Sequence, residues 1–303
     1  METNFKHAVV ALDQSEASDI IIDSLSYLKK LGLQKVTLVT VISVSYSGEG
    51  DEIDTSLQEE QLNNYKKLLE HKDLKVETVI QAGSYAFAPT EIIKTADAKD
   101  ADFIIIGNRG QSMVEQMLLG STASEVLQRS HLPVFLINME MEWIDEDKNE
   151  RRLYVTQSCE KALDHVLHAT DFSDTADRAF EVVRDLDKQG KIGKISLIHV
   201  QGHHAIALKD PVSHDELMQK NEENLEEMRN TLSDHTRENS EIIITFGTAG
   251  KEIIQVIEER GVTLVVMGSQ GKGFVHDFFL GGVSSQVTRF SKIPVLLIPA
   301  ERE

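Results

Sequence analysis

The 303-residue sequence has little of several residue types, and each shortage excludes a class of protein. Its single cysteine, Cys159, cannot form a disulfide within the chain and excludes a zinc site built on cysteines, so we expect a reducing, cytoplasmic location. No apolar run approaches the roughly 20 residues that span a bilayer. The N-terminal residues also lack the pattern of a secretion signal, so we expect neither export nor membrane anchorage.

Basic residues are scarce as well. The chain has 31 Lys and Arg against 50 Asp and Glu, which gives a formal net charge of −19. Such a surface repels phosphate backbones and anionic lipids, so we expect no nucleic acid and no membrane among the partners. A small phosphorylated ligand stays compatible with this charge, because helix N-termini bind phosphate through backbone N–H groups.

What the sequence does contain is an internal repeat. Residues 101–137 align without a gap with residues 262–298, at a constant offset of 161, and residues 7–18 resemble residues 165–176. This self-similarity indicates a tandem duplication of one domain. We predict a first domain over residues 1–140, a polar linker without a strand pattern over 141–160, and a second domain over 161–303.

Short apolar runs alternate with amphipathic segments in both repeats. The first repeat has these runs at 7–12, 35–44, 75–81, 102–107 and 133–138, and the second has them near 164–170, 194–200, 241–246, 263–268 and 294–299. Strands rich in Val and Ile that alternate with helices are typical of a parallel sheet. We therefore predict an α/β fold with two tandem doubly wound domains, each a five-stranded parallel sheet of order 3-2-1-4-5 with helices on both faces.

A Gly-x2-Gly-x9-Gly motif begins in each repeat where the predicted fourth strand ends. Strands 1 and 4 are neighbours in the predicted order, and their following helices lie on opposite faces, so a ligand crevice opens at their carboxyl ends. Asp13 ends the first strand, and Ser121 opens a helix predicted over 121–130, as an N-cap whose neighbouring N–H groups attract anions. Glycines that merely make tight turns, with a serine that merely caps, explain the motif equally well.

ALDQS at 11–15, ATDFS at 169–173 and the closing strands that begin Pro133-Val134 and Pro294-Val295 accompany the two glycine motifs. In these residues the chain resembles the universal stress protein family in its tandem-domain form. Members with Gly-x2-Gly-x9-Gly-Ser/Thr bind ATP, with the strand-1 aspartate at the adenosine end and the glycine loop at the phosphates. The ligand implied here is ATP, or else ADP or AMP, with or without Mg²⁺. The residues implied in the first domain are Asp13, Val41, Gly107, Arg109, Gly110, Gly120, Ser121 and Thr122.

The second repeat departs from this motif at two positions. Gly282 replaces the Ser or Thr after the third glycine, and Gln270 stands where the first repeat has Arg109. Losing one neutral hydrogen bond costs roughly 0.5–1.5 kcal/mol, so a weakened site remains compatible with binding, and we expect Ser284 to compensate for the lost hydroxyl. The residues implied in the second domain are Asp171, Val200, Gly268, Gly271, Gly281 and Ser284.

These observations favour an ATP-binding stress-response protein that acts as a sensor or regulator. A P-loop, a dinucleotide fingerprint and a nucleophile elbow are all missing, and we identify neither catalytic nor metal-ligating residues. We therefore expect at most slow ATP hydrolysis. A nucleotide-free interaction scaffold of the same fold and a weak ATP-hydrolysing enzyme remain the alternatives.

The expected partners are an adenine nucleotide and a protein that the sequence does not identify. The resemblance implies an internal pseudo-dimer of the two domains through residues 133–138 and 294–299. Apolar edge strands need covering, which makes this pairing physically reasonable, and a homodimer of whole chains is compatible with it.

Overall fold

The computed structural model describes residues 5–44, 53–110, 119–144, 151–202, 211–272 and 280–301, with the backbone alone for 211–214. The chain divides into two compact units, one over Asn4–Glu160 and the other containing Lys161–Glu303. We call them the first and the second domain. Each has a hydrophobic core centred on its own parallel strands.

The first domain follows the βα order that the sequence predicts. Its elements are β1 (His7–Leu12), α1 (Glu16–Leu25), β2 (Lys35–Val44), α2 (Ser56–Glu70), β3 (Lys75–Ser84), α3 (Ala88–Ala98), β4 (Phe103–Gly107), α4 (Ser121–Arg129) and β5 (Val134–Ile137). The strands lie side by side in the order β3-β2-β1-β4-β5, and every neighbouring pair is parallel. The predicted order 3-2-1-4-5 is confirmed.

The second domain repeats this arrangement. Two short strands, β6 (Glu140–Trp143) and β7 (Arg151–Tyr154), precede it in the chain. Its own elements are β8 (His165–Ala169), α5 (Asp174–Lys188), β9 (Lys194–Gln201), α6 (Pro211–Asn230), α7 (Asp234–Glu238), β10 (Ser240–Phe246), α8 (Ala249–Arg260), β11 (Leu264–Gly268), α9 (Gly282–Phe290) and β12 (Val295–Ile298). Its parallel strands lie in the order β10-β9-β8-β11-β12, which is again 3-2-1-4-5. The order reverses beside the first strand of each domain, so the crevice of a doubly wound sheet falls between strands 1 and 4.

Burial follows the position of each strand in its sheet. All residues of β1, β4 and β5 are buried, as are those of β8, β11 and β12. Strands buried on both faces need continuous apolar runs, and Val, Ile, Leu and Phe supply them here. The edge strands β3 and β10 are mostly half-exposed. Among the helices in the described ranges, none is both long enough and apolar enough to cross a membrane.

The segment predicted as a linker, 141–160, contains structure that the sequence did not indicate. Strands β6 (Glu140–Trp143) and β7 (Arg151–Tyr154) pair antiparallel, and the hairpin belongs to the compact unit of the first domain. Leu153 is buried, and its backbone N–H donates to Glu16 Oε1 of α1 at 2.9 Å. The sequence does not indicate these strands, because four charge-rich residues are too few to show an alternation of apolar and polar residues. Leu153 is the buried residue that marks the inner face of the hairpin.

Candidate functional site

A cavity of about 440 Å³ opens in the first domain at the carboxyl ends of β1, β2 and β4. Its volume lies within the roughly 300–1,000 Å³ typical of small-molecule sites. The helix N-terminus of α4 and the start of α3 complete the wall. All eight residues that the sequence predicted for this domain line the cavity, namely Asp13, Val41, Gly107, Arg109, Gly110, Gly120, Ser121 and Thr122.

Asp13 holds the turn after β1 and touches the glycine loop. Its Oδ1 accepts hydrogen bonds from Ser15 N at 3.1 Å, Ser15 Oγ at 2.6 Å and Ser18 Oγ at 3.2 Å. Its Oδ2 lies so close to Gly110 that a Cβ built on that glycine would sit 2.2 Å away. The carboxylate therefore connects the β1 turn to the loop that follows β4.

The three positions of the first motif differ in how far their surroundings require a glycine. A Cβ on Gly107 would lie 2.8 Å from Met139 Cε, 3.2 Å from Ile21 Cδ1 and 3.3 Å from the backbone oxygen of Arg109, so core packing leaves little room for a side chain there. Gly110 is required by its contact with Asp13. Among the described residues, a Cβ on Gly120 would meet only Asn108 O, at an ordinary 3.4 Å, and its φ of −66° suits any residue. Tight packing thus explains two of the glycines and leaves the cavity-lining Gly120 to be explained by something else.

The helix that closes the motif begins one residue earlier than predicted. Gly120 is the N-cap of α4 and Ser121 is its first helical residue, so the predicted N-cap at Ser121 is wrong. Gly120 N donates to Asn108 O at 2.7 Å, which closes the loop and puts residue 120 in extended geometry. The N-cap residue is a glycine and has no side chain to cap this end, and the first residues of α4, at the positive end of its dipole, line the cavity.

Three buried polar atoms of the cavity-lining residues have no hydrogen-bond partner among the described residues. They are Arg109 Nη1, Gln14 Nε2 and Thr40 Oγ1. Arg109 donates through Nε to Met139 O at 3.1 Å. Burial lowers the pKa of its guanidinium, although the Glu140 carboxylate acts in the opposite direction. Buried polar atoms without partners are uncommon in folded proteins, and an unseen ligand is one of the standard reasons for them.

Gln14 and Thr40 are site residues that the sequence analysis missed. The spacing of the motifs singles out glycines and the strand-ending aspartate, whereas these two residues have no motif of their own. Gln14 does lie inside the quoted ALDQS segment, directly after Asp13, and Thr40 directly precedes Val41. Their positions next to predicted site residues are the only signal that could have found them.

The second domain has a smaller cavity, of about 270 Å³, at the corresponding place. A Cβ on Gly271 would lie 2.3 Å from Asp171 Oδ2, which repeats the contact between aspartate and glycine loop. None of the buried unpartnered atoms found in the described part of the chain belongs to a residue that lines this cavity. All six predicted residues line it, namely Asp171, Val200, Gly268, Gly271, Gly281 and Ser284.

The hydroxyl of Ser284, expected to compensate for the one that Gly282 lacks, is hydrogen-bonded within the protein. The side chain is only 3% exposed, and its Oγ donates to the backbone carbonyl of Gly268 at 2.8 Å. Compensation by Ser284 stays a prediction, and it would require the hydroxyl to give up this hydrogen bond. Within the described ranges of both domains, no cluster of three His, Cys, Asp or Glu residues could hold a metal ion.

Comparisons with known proteins agree with this architecture. The family model of the universal stress protein family matches twice, over residues 4–138 and 162–299. A universal stress protein of Methanocaldococcus jannaschii is 30% identical over 151 residues, which cover 44% of this chain and 93% of that protein. Universal stress protein YxiE of Bacillus subtilis is 30% identical over 149 residues, covering 44% of this chain and 99% of its own.

A solved structure extends the likeness to both domains. The crystal structure of a universal stress protein from Archaeoglobus fulgidus matches with a TM-score of 0.67 and 27% identity, over 98% of each chain. Two matches of one family model, one per compact unit, account for the internal repeat. The chain therefore belongs to the universal stress protein family, as a member with two tandem domains.

Proposed function

We propose that the first domain binds an adenine nucleotide and that the chain acts as a stress-response sensor or regulator. The observation that carries this proposal is a cavity of about 440 Å³ whose wall includes the first residues of α4 and Arg109. Among the described residues, Arg109, Gln14 and Thr40 of this wall each have a buried polar atom without a hydrogen-bond partner. A polar ligand with an anionic end suits the helix N-terminus and the guanidinium, whereas a scaffold that uses only its outer surface has no need of them.

The two ends of the cavity suit the two ends of a nucleotide. The N-terminus of α4 and the Arg109 guanidinium supply N–H donors and positive charge for phosphates. Asp13, Gln14 and the β2 residues Thr40 and Val41 line the other part, where we place the nucleoside. A divalent cation bound with the phosphates would neutralise part of their charge. The described lining offers no residue placed as a general base, so we propose binding without fast hydrolysis.

The phosphate end is connected to the hairpin that follows β5. The Asn108 side chain both donates to Met139 O, at 3.2 Å, and accepts from Met139 N, at 2.9 Å. Arg109 Nε donates to the same carbonyl, and Glu140, the next residue, begins β6. A phosphate that binds Arg109 therefore competes with the hydrogen bond from Arg109 to Met139, at the start of the hairpin. Ligand binding can in this way change the position of the hairpin, and we propose that this change is the regulatory signal.

Mass spectrometry of small molecules released from the denatured protein tests the proposal. We expect one or two adenine nucleotides per wild-type chain and none from the Gly120→Val/Gly281→Val double variant. Gly202→Val is the matched control, because a Cβ there meets no described residue within 4 Å and Gly202 lines neither cavity. A wild-type protein that is empty and also fails to bind added Mg-ATP in calorimetry would instead favour the scaffold.

Replacing Arg109 by glutamine, the residue of the second domain, is expected to weaken ATP binding at the first site about tenfold. The variant exchanges a charge-assisted hydrogen bond for a neutral one, a difference of roughly 1–1.5 kcal/mol. Calorimetric titration with Mg-ATP measures this change. The reverse variant, Gln270→Arg, is the control and should leave the first site unchanged. Equal affinity in Arg109→Gln and wild type would rule out a phosphate contact by Arg109.

A further inference from the structure

We propose that the β6–β7 hairpin restrains Arg109 in the first domain, so that docking of the hairpin on α1 and binding of a phosphate at Arg109 oppose each other. This inference rests on the proposed nucleotide binding and adds to it an autoinhibitory element. The hairpin lies between the two stretches that match the family model, 4–138 and 162–299, so it is an addition to the shared domain.

The position of the hairpin depends on what it is attached to. In the described part of the chain, β6 and β7 form a two-stranded sheet of their own, with four residues in each strand. An isolated pair of strands is marginally stable at best in water. The first domain holds this pair at two places, one at the start of β6 and one on β7.

The first attachment is the carbonyl of Met139, directly before β6. It accepts from Asn108 Nδ2 at 3.2 Å and from Arg109 Nε at 3.1 Å. Asn108 also accepts from Met139 N, at 2.9 Å, through its Oδ1. If Arg109 leaves, Asn108 keeps both backbone groups of Met139 hydrogen-bonded. Arg109 can therefore exchange Met139 for a phosphate without leaving a buried carbonyl unpaired.

The second attachment joins β7 to α1. Leu153 N donates to Glu16 Oε1 at 2.9 Å. Alternate N–H groups of an antiparallel strand point away from the partner strand, and Leu153, which is in register with Met141, supplies one of them to the helix. Glu16 is exposed and lines neither cavity, so it can be replaced without changing a residue of the cavity wall.

The two attachments are connected through Glu140. Tyr154, the neighbour of Leu153, donates from its hydroxyl to Glu140 Oε2 at 3.3 Å, and the two residues are opposite each other in the hairpin. The Glu140 carboxylate acts to raise the pKa of Arg109, against the effect of burial, so its charge reaches the guanidinium. The same charge repels a phosphate at Arg109. The docked hairpin thus opposes phosphate binding in two ways, by occupying Arg109 Nε and by holding a negative charge near it.

Glu16→Ala is expected to tighten Mg-ATP binding at the first site about three- to tenfold. The variant removes the acceptor that holds β7, and coupling between hairpin release and ligand binding is reciprocal. Glu16→Gln keeps an oxygen for Leu153 N and should restore the wild-type affinity. Calorimetric titration in a Gly281→Val background, designed to block the second cavity, measures these affinities. Hydrogen exchange of the Leu153 amide should also become faster when Mg-ATP is added to the wild type.

Glu140→Gln and Glu142→Gln are a matched pair on β6. Each removes one negative charge from the same strand, but the Glu142 carboxylate is paired with Arg152. We expect Glu140→Gln to tighten Mg-ATP binding, by a factor that shrinks as salt is added, and Glu142→Gln to leave it unchanged. A merely structural role of Glu140 would not produce this dependence on salt.

Two results would contradict the proposals separately. Unchanged affinity in both Glu16→Ala and Glu140→Gln, with Leu153 exchange that does not respond to Mg-ATP, would overturn the restraint by the hairpin. Failure of the parent protein itself to bind Mg-ATP would overturn the proposed function, and it is seen before any variant is compared.

Discussion

Acidification from pH 7 to pH 4 is expected to destabilise β8 of the second domain by about 3 kcal/mol through the protonation equilibrium of His168. The side chain is fully buried, and its Nδ1 bonds to the carbonyl oxygen of Val266 at 3.1 Å, while Nε2 has no partner in the part of the chain that the structure describes. Burial lowers the pKa of His168 to about 4, from 6.5. A protonated ring would carry an N–H at Nε2 with no acceptor.

The direction of the effect follows from proton binding in the two states. Above pH 6.5 the imidazole is neutral in the folded and in the unfolded chain, so the free energy of unfolding is unaffected. Between pH 6.5 and 4 the unfolded chain binds a proton that the folded chain does not, and stability falls by roughly 1.4 kcal/mol per pH unit. Below pH 4 both states are protonated, and this contribution stops changing.

Hydrogen exchange measures this effect strand by strand. The free energy of opening of β8 amides should fall between pH 7 and 4 by about 3 kcal/mol more in wild type than in His168→Val. Valine is the matched replacement, because Val10 occupies the corresponding place in β1 of the first domain. His7 and His165, whose pKa values are both lowered, chiefly by burial, occupy matching positions and so contribute to both domains. The same pH dependence in wild type and His168→Val would refute the assignment.

The central strands could be predicted from the sequence almost to the residue. Runs at 7–12 and 35–44 coincide with β1 and β2, and the run at 102–107 differs from β4 by one residue. Strands covered on both faces must be continuously apolar, so their sequences carry a strong signal. The edge strand β3 extends three residues beyond its predicted end at 81, because its half-exposed carboxyl end tolerates Ala, Gly and Ser.

The glycine motif predicted where the cavity lies, since the end of β4 is where a doubly wound sheet opens. The spacing of the motif did not show why each of its positions is glycine, because the answer depends on contacts with residues that are distant in sequence. Gly107 packs against Met139 and Ile21, and Gly110 packs against Asp13. The sequence also could not predict that polar atoms of Gln14 and Thr40 have no partner among the described residues, because the presence of a hydrogen-bond partner depends on the folded surroundings.

Replacing Gly110 by alanine is expected to weaken ATP binding at the first site roughly 10- to 100-fold. The new Cβ would lie 2.2 Å from Asp13 Oδ2, inside contact distance. Rotation of the carboxylate is costly, because Oδ1 is held by Ser15 and Ser18. Overpacking of this kind typically costs about 1–3 kcal/mol. We expect the loop to relieve the clash by moving away from its arrangement around the cavity, which weakens binding by a corresponding factor.

Gly83→Ala is the matched control in the same domain. Among the described residues its Cβ would meet only Ala86 Cβ, at an ordinary 3.9 Å, and Gly83 does not line the cavity, so we expect unchanged ATP affinity. Calorimetry with Mg-ATP and thermal unfolding should be measured on both variants.

A double-mutant cycle tests whether the clash with Asp13 is the cause. In an Asp13→Ala background, the Gly110→Ala substitution should lose most of its effect on unfolding, because the oxygen that it meets has been removed. We expect a coupling free energy of about 1 kcal/mol or more between the two positions, as for residues in direct contact. Additive effects would show that Gly110 is needed for a reason other than Asp13, such as direct approach of the phosphates to its backbone. The cycle therefore shows whether residue 110 is glycine to make room for the Asp13 carboxylate or to make room for the ligand.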